Sequence, residues 1–421
     1  MDNISYSEDK INIMPYIIWS VAVFCLLFQF LLQFSSGIMT NQLMETFNLT
    51  ASRAGFLAGS YYHIYVLLQT PAGFLTDRYG PRRLLSYGSV VCCIGCLAFS
   101  HSNVFVQAEI GRLLMGGGLS FAFVGMVYIT ATVLPSSMFS LMIGVAETLA
   151  ILGTLISELY LSSYIDIIGW RIFINLAAVV SLVLGVLCLF LIPSKNDGSE
   201  DNDVAKDVLS FKDVFEQFID LLKKPVAWAN GLYAGFMFAV LTTFHGLWAQ
   251  PFLIEAYGLS VYDSGHFCSL MLVGASIGFP LAGWLGGKLR ETKYLLVFAA
   301  IAEAITLLAI LSFTSIPHYV LAILLILAGF FTGAYILCYS ISHNIVGAGS
   351  KSTSIGFTNT LAVVTAPLMQ PFVGYLLDHI AGGSKYTIID FQLALGIMPL
   401  CLIVAAILAC FLPTANKNIQ N

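Results

Sequence analysis

GFLTDRYGPRRLL, residues 73–85, puts one acid and three arginines into thirteen positions between two long apolar runs. Its glycines permit a tight turn. The surroundings decide what such a loop is for. The chain has 421 residues, of which 58% are hydrophobic and 10% charged, and its mean hydropathy is +0.87. A soluble domain carries about a quarter of its residues as charges. This composition belongs to an integral membrane protein, and the charged loop joins two membrane spans. No basic stripe suits nucleic acid. The nine cysteines fall within apolar segments, which implies no disulfide framework. The CCxxC at 92–96 has no His or acid beside it to complete a metal site.

A span needs about 20 mostly apolar residues. Breaking the chain at charge clusters and Gly/Pro/Ser turns predicts twelve spans. They run at about 15–38, 53–75, 84–102, 105–130, 139–163, 171–192, 226–250, 264–287, 294–314, 318–342, 353–377 and 390–412. Backbone groups in lipid must bond internally, so the spans are helices and the fold is all-α. An even number puts both termini on one face. That face collects Lys10, Arg78, Arg82, Arg83, Lys195, Lys206, Lys212, Lys223, Lys224, Lys288, Arg290, Lys293, Lys351 and Lys417. The other face holds only Arg53, Arg171 and Lys385. This asymmetry makes the first face, with both termini, cytoplasmic. Lys10 precedes a run long enough to span, and no cleavable signal is expected. The longest loop, 193–225, ends in SFKDVFEQFIDLLKK. There Phe211, Val214, Phe215, Phe218 and Leu222 keep helical spacing, which predicts an amphipathic helix on the inner leaflet, or simply a linker between two halves.

The halves repeat. GVAETLAILGTLISELYLSSYID at 144 aligns with GFTNTLAVVTAPLMQPFVGYLLD at 356, an offset of 212. Gly144 then meets Gly356, and Asp166 meets Asp378. At offset 210, GFLTDRYG at 73 meets GWLGGKLR at 283. The expected organisation is two pseudo-symmetric six-helix bundles, 1–192 and 226–421, joined by the linker 193–225. Parallel halves of this kind place a site between them near the midplane.

The loop at 73–85 resembles the signature loop of the major facilitator superfamily, between its second and third spans. Gly73, Leu75, Asp77, Arg78, Gly80, Arg82 and Arg83 fit that pattern, and Pro81 stands where a basic residue is common. GRLLMGGG at 111, with Arg112 and Gly116, resembles the family's fourth-span motif. GWRIFI at 169 and APLMQPFVGYLLD at 366 also fit. The second-half copy of the loop is degraded: Gly287 replaces Asp77 and Lys288 replaces Arg78. The resemblance implies a secondary transporter and a gating role for the loop. Asp77 is expected to approach the positive N-terminal end of span eleven, near Ser352 and Thr353. Arg78, Arg82 and Arg83 would pair with acids and lipid phosphates, or only set topology.

Ionisable groups inside a membrane are costly and usually face the interior. Glu147 and Glu158 lie eleven residues apart on one face of span five, about 16 Å along the axis. Arg112 on span four lies at about the depth of Glu158, and an Arg112–Glu158 ion pair is expected, with Glu109 one turn away. The pair would either lock spans four and five or carry protons. Glu147 has no cation at its depth. It either exchanges protons or remains a neutral, hydrogen-bonded acid. His63, within SYYHIY, is a relay candidate or a packed ring. Glu303 fits a structural hydrogen bond. At offset 212 Glu147 meets Asn359 and Glu158 meets Gln370. The expected division of labour is protons on span five and solute contacts on span eleven.

By the resemblance, spans one, four, seven and ten line the substrate path, with five, eight and eleven. The candidates there are Gln29, Gln33, Tyr128, His245, Trp248, Tyr335, Tyr339, Asn359 and Gln370. The expected function is proton-coupled uptake of a small polar organic solute by alternating access. Efflux of a drug or siderophore is the rival, disfavoured because span five lacks a Gly-Pro pair; a non-transporting sensor is more distant. No Walker loop, GxSxG or HExxH suggests an enzyme, and no cofactor or metal is expected. The partners expected are a solute, protons and the bilayer, not nucleic acid. The protein is expected as a monomer in a bacterial inner membrane.

Overall fold

The computed structural model describes residues 13–49, 51–156, 165, 167–194, 211–289, 291–347, 350–382 and 386–413. These residues form helices and connections, without strands. The twelve spans are α1 (Met14–Phe47), α2 (Ala51–Tyr79), α3 (Pro81–Ser100), α4 (Phe105–Val133), α5 (Phe139–Ile156), α6 (Trp170–Leu191), α7 (Pro225–Tyr257), α8 (Val261–Lys288), α9 (Thr292–Ser312), α10 (His318–Asn344), α11 (Lys351–Ala381) and α12 (Ile388–Cys410). The range given for α5 is its described part. Eleven spans are long and apolar enough to cross a membrane. The twelfth, α2, has the length but is more polar, because Tyr61, Gln69 and Thr76 turn inward and are buried.

In the first half, α3 packs on α4 and α6, α2 on α4, and α1 on α4, α5 and α6. In the second half, α8 packs on α10, α9 on α10 and α12, and α7 on α11 and α12. Two extensive contacts join the halves: α2 with α11 and α5 with α8. Glycine-rich faces bring the helices close. A Cβ on Gly118 would stand 2.4 Å from the Gly88 carbonyl oxygen, and one on Gly278 would stand 2.1 Å from that of Phe330. Small residues at such crossings let backbones approach where the lipid supplies no hydrophobic drive.

Four spans depart from regular α-helix, α12 among them at Gly396. The α4 helix is interrupted at Ser120, after Gly116-Gly117-Gly118. Residues Val240–Trp248 of α7 are π-helical, and Gly333–Ile336 of α10 form a 3₁₀ turn. Such stretches often mark functional hinges.

The linker helix Phe211–Leu222 is present, but its described contacts are with protein. Leu221 is buried against Ala227 and Phe357, with Phe218 and Leu222 beside it. The helix touches α2, α7 and α11, so it braces the basic ends of both halves.

Candidate functional site

The halves meet on the face rich in Lys and Arg, and the closest approach is made by glycines. A Cβ on Gly73 of α2 would stand 2.3 Å from the Ser352 carbonyl oxygen, and one on Gly356 of α11 would stand 2.4 Å from that of Gln69. Across the molecule, a Cβ on Gly283 of α8 would stand 2.3 Å from the Ser140 oxygen, and one on Gly144 of α5 would stand 2.4 Å from that of Phe279. Offsets of 210 and 212 convert one crossing into the other: Gly73 into Gly283, Gln69 into Phe279, Ser140 into Ser352 and Gly144 into Gly356. The internal repeat is therefore realised as two equivalent backbone crossings.

Asp77 closes the α2–α11 crossing at its outermost turn. Its carboxylate accepts from the Ser352 N–H at 2.9 Å, the Thr353 N–H at 2.7 Å and the Thr353 hydroxyl at 2.7 Å. Both residues open α11, so the charge sits on the positive end of a 31-residue helix. The contact expected from the sequence is present. Gly80 turns the chain behind it with φ 77°, a conformation that favours glycine. Arg78 lies over the Tyr79 ring, and Arg82 is half-buried at the start of α3. Tyr128 also faces Asp77. It belongs to this basic end, not to a solute wall near the midplane, because α4 carries it about two turns beyond Ser120.

At and beyond these crossings, more polar groups tie the halves together. Thr70 and Thr360 share a hydrogen bond of 2.7 Å, as do Ser140 and Ser340. The Thr148 hydroxyl donates to the Ser276 carbonyl at 2.9 Å. Beyond these runs a chain of side chains. Gln69 donates to the Ser120 carbonyl at 3.1 Å, Asn359 donates to Gln69 at 2.7 Å, and the Tyr339 hydroxyl donates to Asn359 at 2.8 Å. Tyr335 lies against Tyr339, with ring centroids 5.8 Å apart, and Glu147 lies beside these two rings. Glu147 is 2% exposed. Phe123, Phe238 and Phe279 wall the two tyrosines. Glu147, Tyr335, Tyr339 and Asn359 were predicted separately; the fold brings them into one string.

Two further candidates meet between α7 and α11. The π-helical stretch offers the Thr242 carbonyl, which accepts from Gln370 at 2.7 Å, and the Trp248 indole donates back to the Gln370 carbonyl at 3.1 Å. His245 lies half-buried in the same stretch. On α1, Gln29 donates to Gln33, one turn along, as their spacing predicts.

The model of the Major Facilitator Superfamily matches residues 21–366. The chain belongs to the major facilitator superfamily. It is a multi-pass membrane transporter of small solutes. A gentisate transporter of Corynebacterium glutamicum is 27% identical over 81% of this chain and 76% of its own. A putative metabolite transport protein, NicT of Pseudomonas putida, is 21% identical over 98% of this chain and 95% of its own. Among solved structures, the transporter FucP in its outward conformation superposes with TM-score 0.69 at 17% identity, over 94% of this chain and 99% of FucP. The proton:xylose symporter XylE gives 0.71 at 15% identity, over 93% and 94%.

Among the other expected site residues of this superfamily member, Glu158 lies outside the described residues, so the expected Arg112–Glu158 pair is not described. Arg112 is fully buried, and among the described residues no carboxylate bonds it. Its guanidinium donates to the Leu32 carbonyl at 3.0 Å and lies over the Tyr61 ring at 5.1 Å. Arg112 thereby ties α4 to α1 and α2, within one half. His63 is exposed against Phe56 and does not reach the Glu147 string. It sits two residues from both Tyr61 and Tyr65, and at 100° per residue it therefore faces away from those buried rings. Glu303 does find a structural bond, from the Thr332 hydroxyl.

Gln69, Tyr65 and Ser120 were missed. Tyr65 lies beside the Gln69 and Asn359 amides. A signal existed for Gln69: it stands one helical turn before Gly73, so it shares the face that carries the signature loop's first glycine. No signal existed for a backbone carbonyl such as that of Ser120.

Proposed function

We propose that this chain takes up a small polar organic solute by alternating access, coupled to protons through Glu147. The unit is a monomer in a bacterial inner membrane, with the Lys/Arg-rich face and both termini in the cytoplasm. The bodies 1–192 and 226–421 rock about the central string, joined by 193–225. The four helices that cross on the cytoplasmic face part when the carrier opens inward, and Asp77, Arg78 and Arg82 act there as the gate. Gln29, Gln33, His245, Trp248 and Gln370 line the solute path beyond the string.

The observation that carries this reading is the place of Glu147. It is a buried acid at the junction of the halves, beside a tyrosine of the opposite half. A carboxyl there can take a proton on one side of the membrane and lose it on the other, as coupling requires. The relatives' names support metabolite transport, and the titles of two structural neighbours describe proton symporters.

The test is uptake into proteoliposomes of a panel drawn from the relatives' solutes: gentisate, sulfoacetate, a hexuronate and glucose. An acidic exterior should drive accumulation of at least one. Glu147→Gln should retain exchange down a concentration gradient and lose the response to pH. Accumulation that ignores both the gradient and the substitution would show that Glu147 does not couple. Efflux driven by an opposing gradient would reverse the assigned direction.

A further inference from the structure

The ends of three spans leave a gap on the Lys/Arg-rich face. The first turn of α7 brings Pro225 and Val226 to it, the end of α10 brings Ile341 and its cap Ile345, and Pro413 follows α12. Together they wall a cavity of about 410 Å³, a size at which small-ligand sites occur. Lys223 and Lys224, between the linker helix and α7, complete the lining, and both are exposed, so the cavity opens at the surface. None of its lining residues is acidic. Neither ammonium is used up by the protein. Lys224 Nζ donates to the Ile345 carbonyl at 2.9 Å, which takes one of its three protons. Lys223 Nζ meets Asp220 at 2.9 Å, but those side chains are 70% and 66% exposed, and an ion pair that wet holds weakly.

The height of the cavity narrows the ligand. Here α7 begins and α10 and α12 end, where apolar spans give way to water. Trp228 stands one turn from Pro225 with its ring 42% exposed, and its indole N–H donates to the Leu222 carbonyl at 2.9 Å. Phe411, two residues before Pro413, is also exposed. Amphipathic tryptophan rings collect at this level of a bilayer. Two cations above an apolar wall match an anion that carries an acyl tail. We propose that the cavity between α7, α10 and α12 binds an anionic phospholipid of the leaflet on this face, with its phosphate on Lys223 and Lys224 and its glycerol and upper acyl chains on the apolar wall. Basic pockets between helices take lipid headgroups in this way. The site is separate from Glu147 and needs no solute. It also bears on closure, because the same end of α10 meets α5 of the other half: Ser340 bonds Ser140 at 2.7 Å, and the His343 ring lies 5.1 Å from that of Phe139. A lipid that braces this end favours the closed face.

The test uses the full-length protein in detergent, titrated with phosphatidylglycerol while native mass spectrometry counts the bound lipid. Phosphatidylcholine and glycerol phosphate are titrated in parallel. Phosphatidylglycerol should bind at least about fivefold more tightly than phosphatidylcholine, and glycerol phosphate should not be retained. Lys223→Gln should weaken phosphatidylglycerol about fivefold. Val226→Phe keeps both charges and fills the cavity, and it should weaken the lipid too, which a mere basic patch would not show. Should Val226→Phe fail to fold, Lys223→Gln decides alone, since its position is exposed. Lys293→Gln is the control: it removes an ion pair with Glu291 on the same face, outside the cavity lining, and should change nothing. Equal binding of the two lipids, or equal losses in Lys223→Gln and Lys293→Gln, overturns the site. Glycerol phosphate held as tightly as the lipid makes the cavity a site for free phosphate and overturns the lipid assignment. For closure, distances between labels at Arg83 and Lys288 are compared in bilayers with and without phosphatidylglycerol. The lipid should raise the short-distance population, and Lys223→Gln should erase that difference; an unmoved wild-type distribution overturns the effect on closure.

Discussion

Replacing Gly144 by alanine should push the carrier open on its Lys/Arg-rich side. The new Cβ would stand 2.4 Å from the Phe279 carbonyl oxygen and 2.7 Å from its carbon. A carbon normally keeps about 3.3 Å from a carbonyl oxygen, so α5 and α8 must separate by about 1 Å. The obstacle is backbone, and no rotamer change relieves it. Overpacking of this kind costs about 1–3 kcal/mol. The cost falls only on the closed state, because the two helices part when the face opens. The closed-to-open ratio should then fall by about 5- to 150-fold. Pulsed electron–electron distance measurements between labels at Arg83 and Lys288, both exposed on this face, read the ratio directly. A longer-distance population should appear or grow in Gly144→Ala. Gly347→Ala, where nothing lies within 4 Å, should match the wild type. A Gly144→Ala distribution that superimposes on the wild type, at unchanged melting temperature, would refute the idea that this crossing holds the face shut.

Asp77→Asn keeps the shape of the gate and removes its charge from the α11 N-terminus. The loss of about 1–2 kcal/mol of helix-end and charge-assisted bonding should open the same face about tenfold, read by the same labels. Gln370→Leu removes the side-chain donor to the Thr242 carbonyl of the π-helical stretch. It should lower the unfolding free energy by about 0.5–1.5 kcal/mol, seen as a fall in Tm; an unchanged Tm would show that this bond holds nothing. Leu221→Asp puts a charge where the linker helix packs on Phe357. It should cost about 2 kcal/mol of burial and speed proteolysis within 193–225, with the twelve spans intact.

The sequence read best where the argument was a count or a charge. Span number follows from apolar length, and the gathering of Lys and Arg on one face from the loops alone, and neither needs a partner helix. The Asp77 contact was legible because a carboxylate and a helix N-terminus attract whatever packs around them. The repeat went further: it paired Gly73 with Gly283 and Gly144 with Gly356, and these pairs became the two crossings. Arg112 and His63 were harder. An isolated charge says that something must face inward, but not which neighbour receives it. Arg112 met a carbonyl of α1 and a ring of α2.

What the sequence by itself determined was how many helices cross, which ends share a face and at which depths polar groups recur. Only the tertiary structure decided which way each helix turns about its axis. A membrane span is apolar on all sides, so its pattern does not distinguish lipid from a neighbour as an amphipathic helix distinguishes water from core. Rotation is set instead where glycines let backbones touch and where buried polar groups find partners. That is why Glu147, Tyr335, Tyr339, Asn359 and Gln69, scattered over four helices, come together only once the halves are packed.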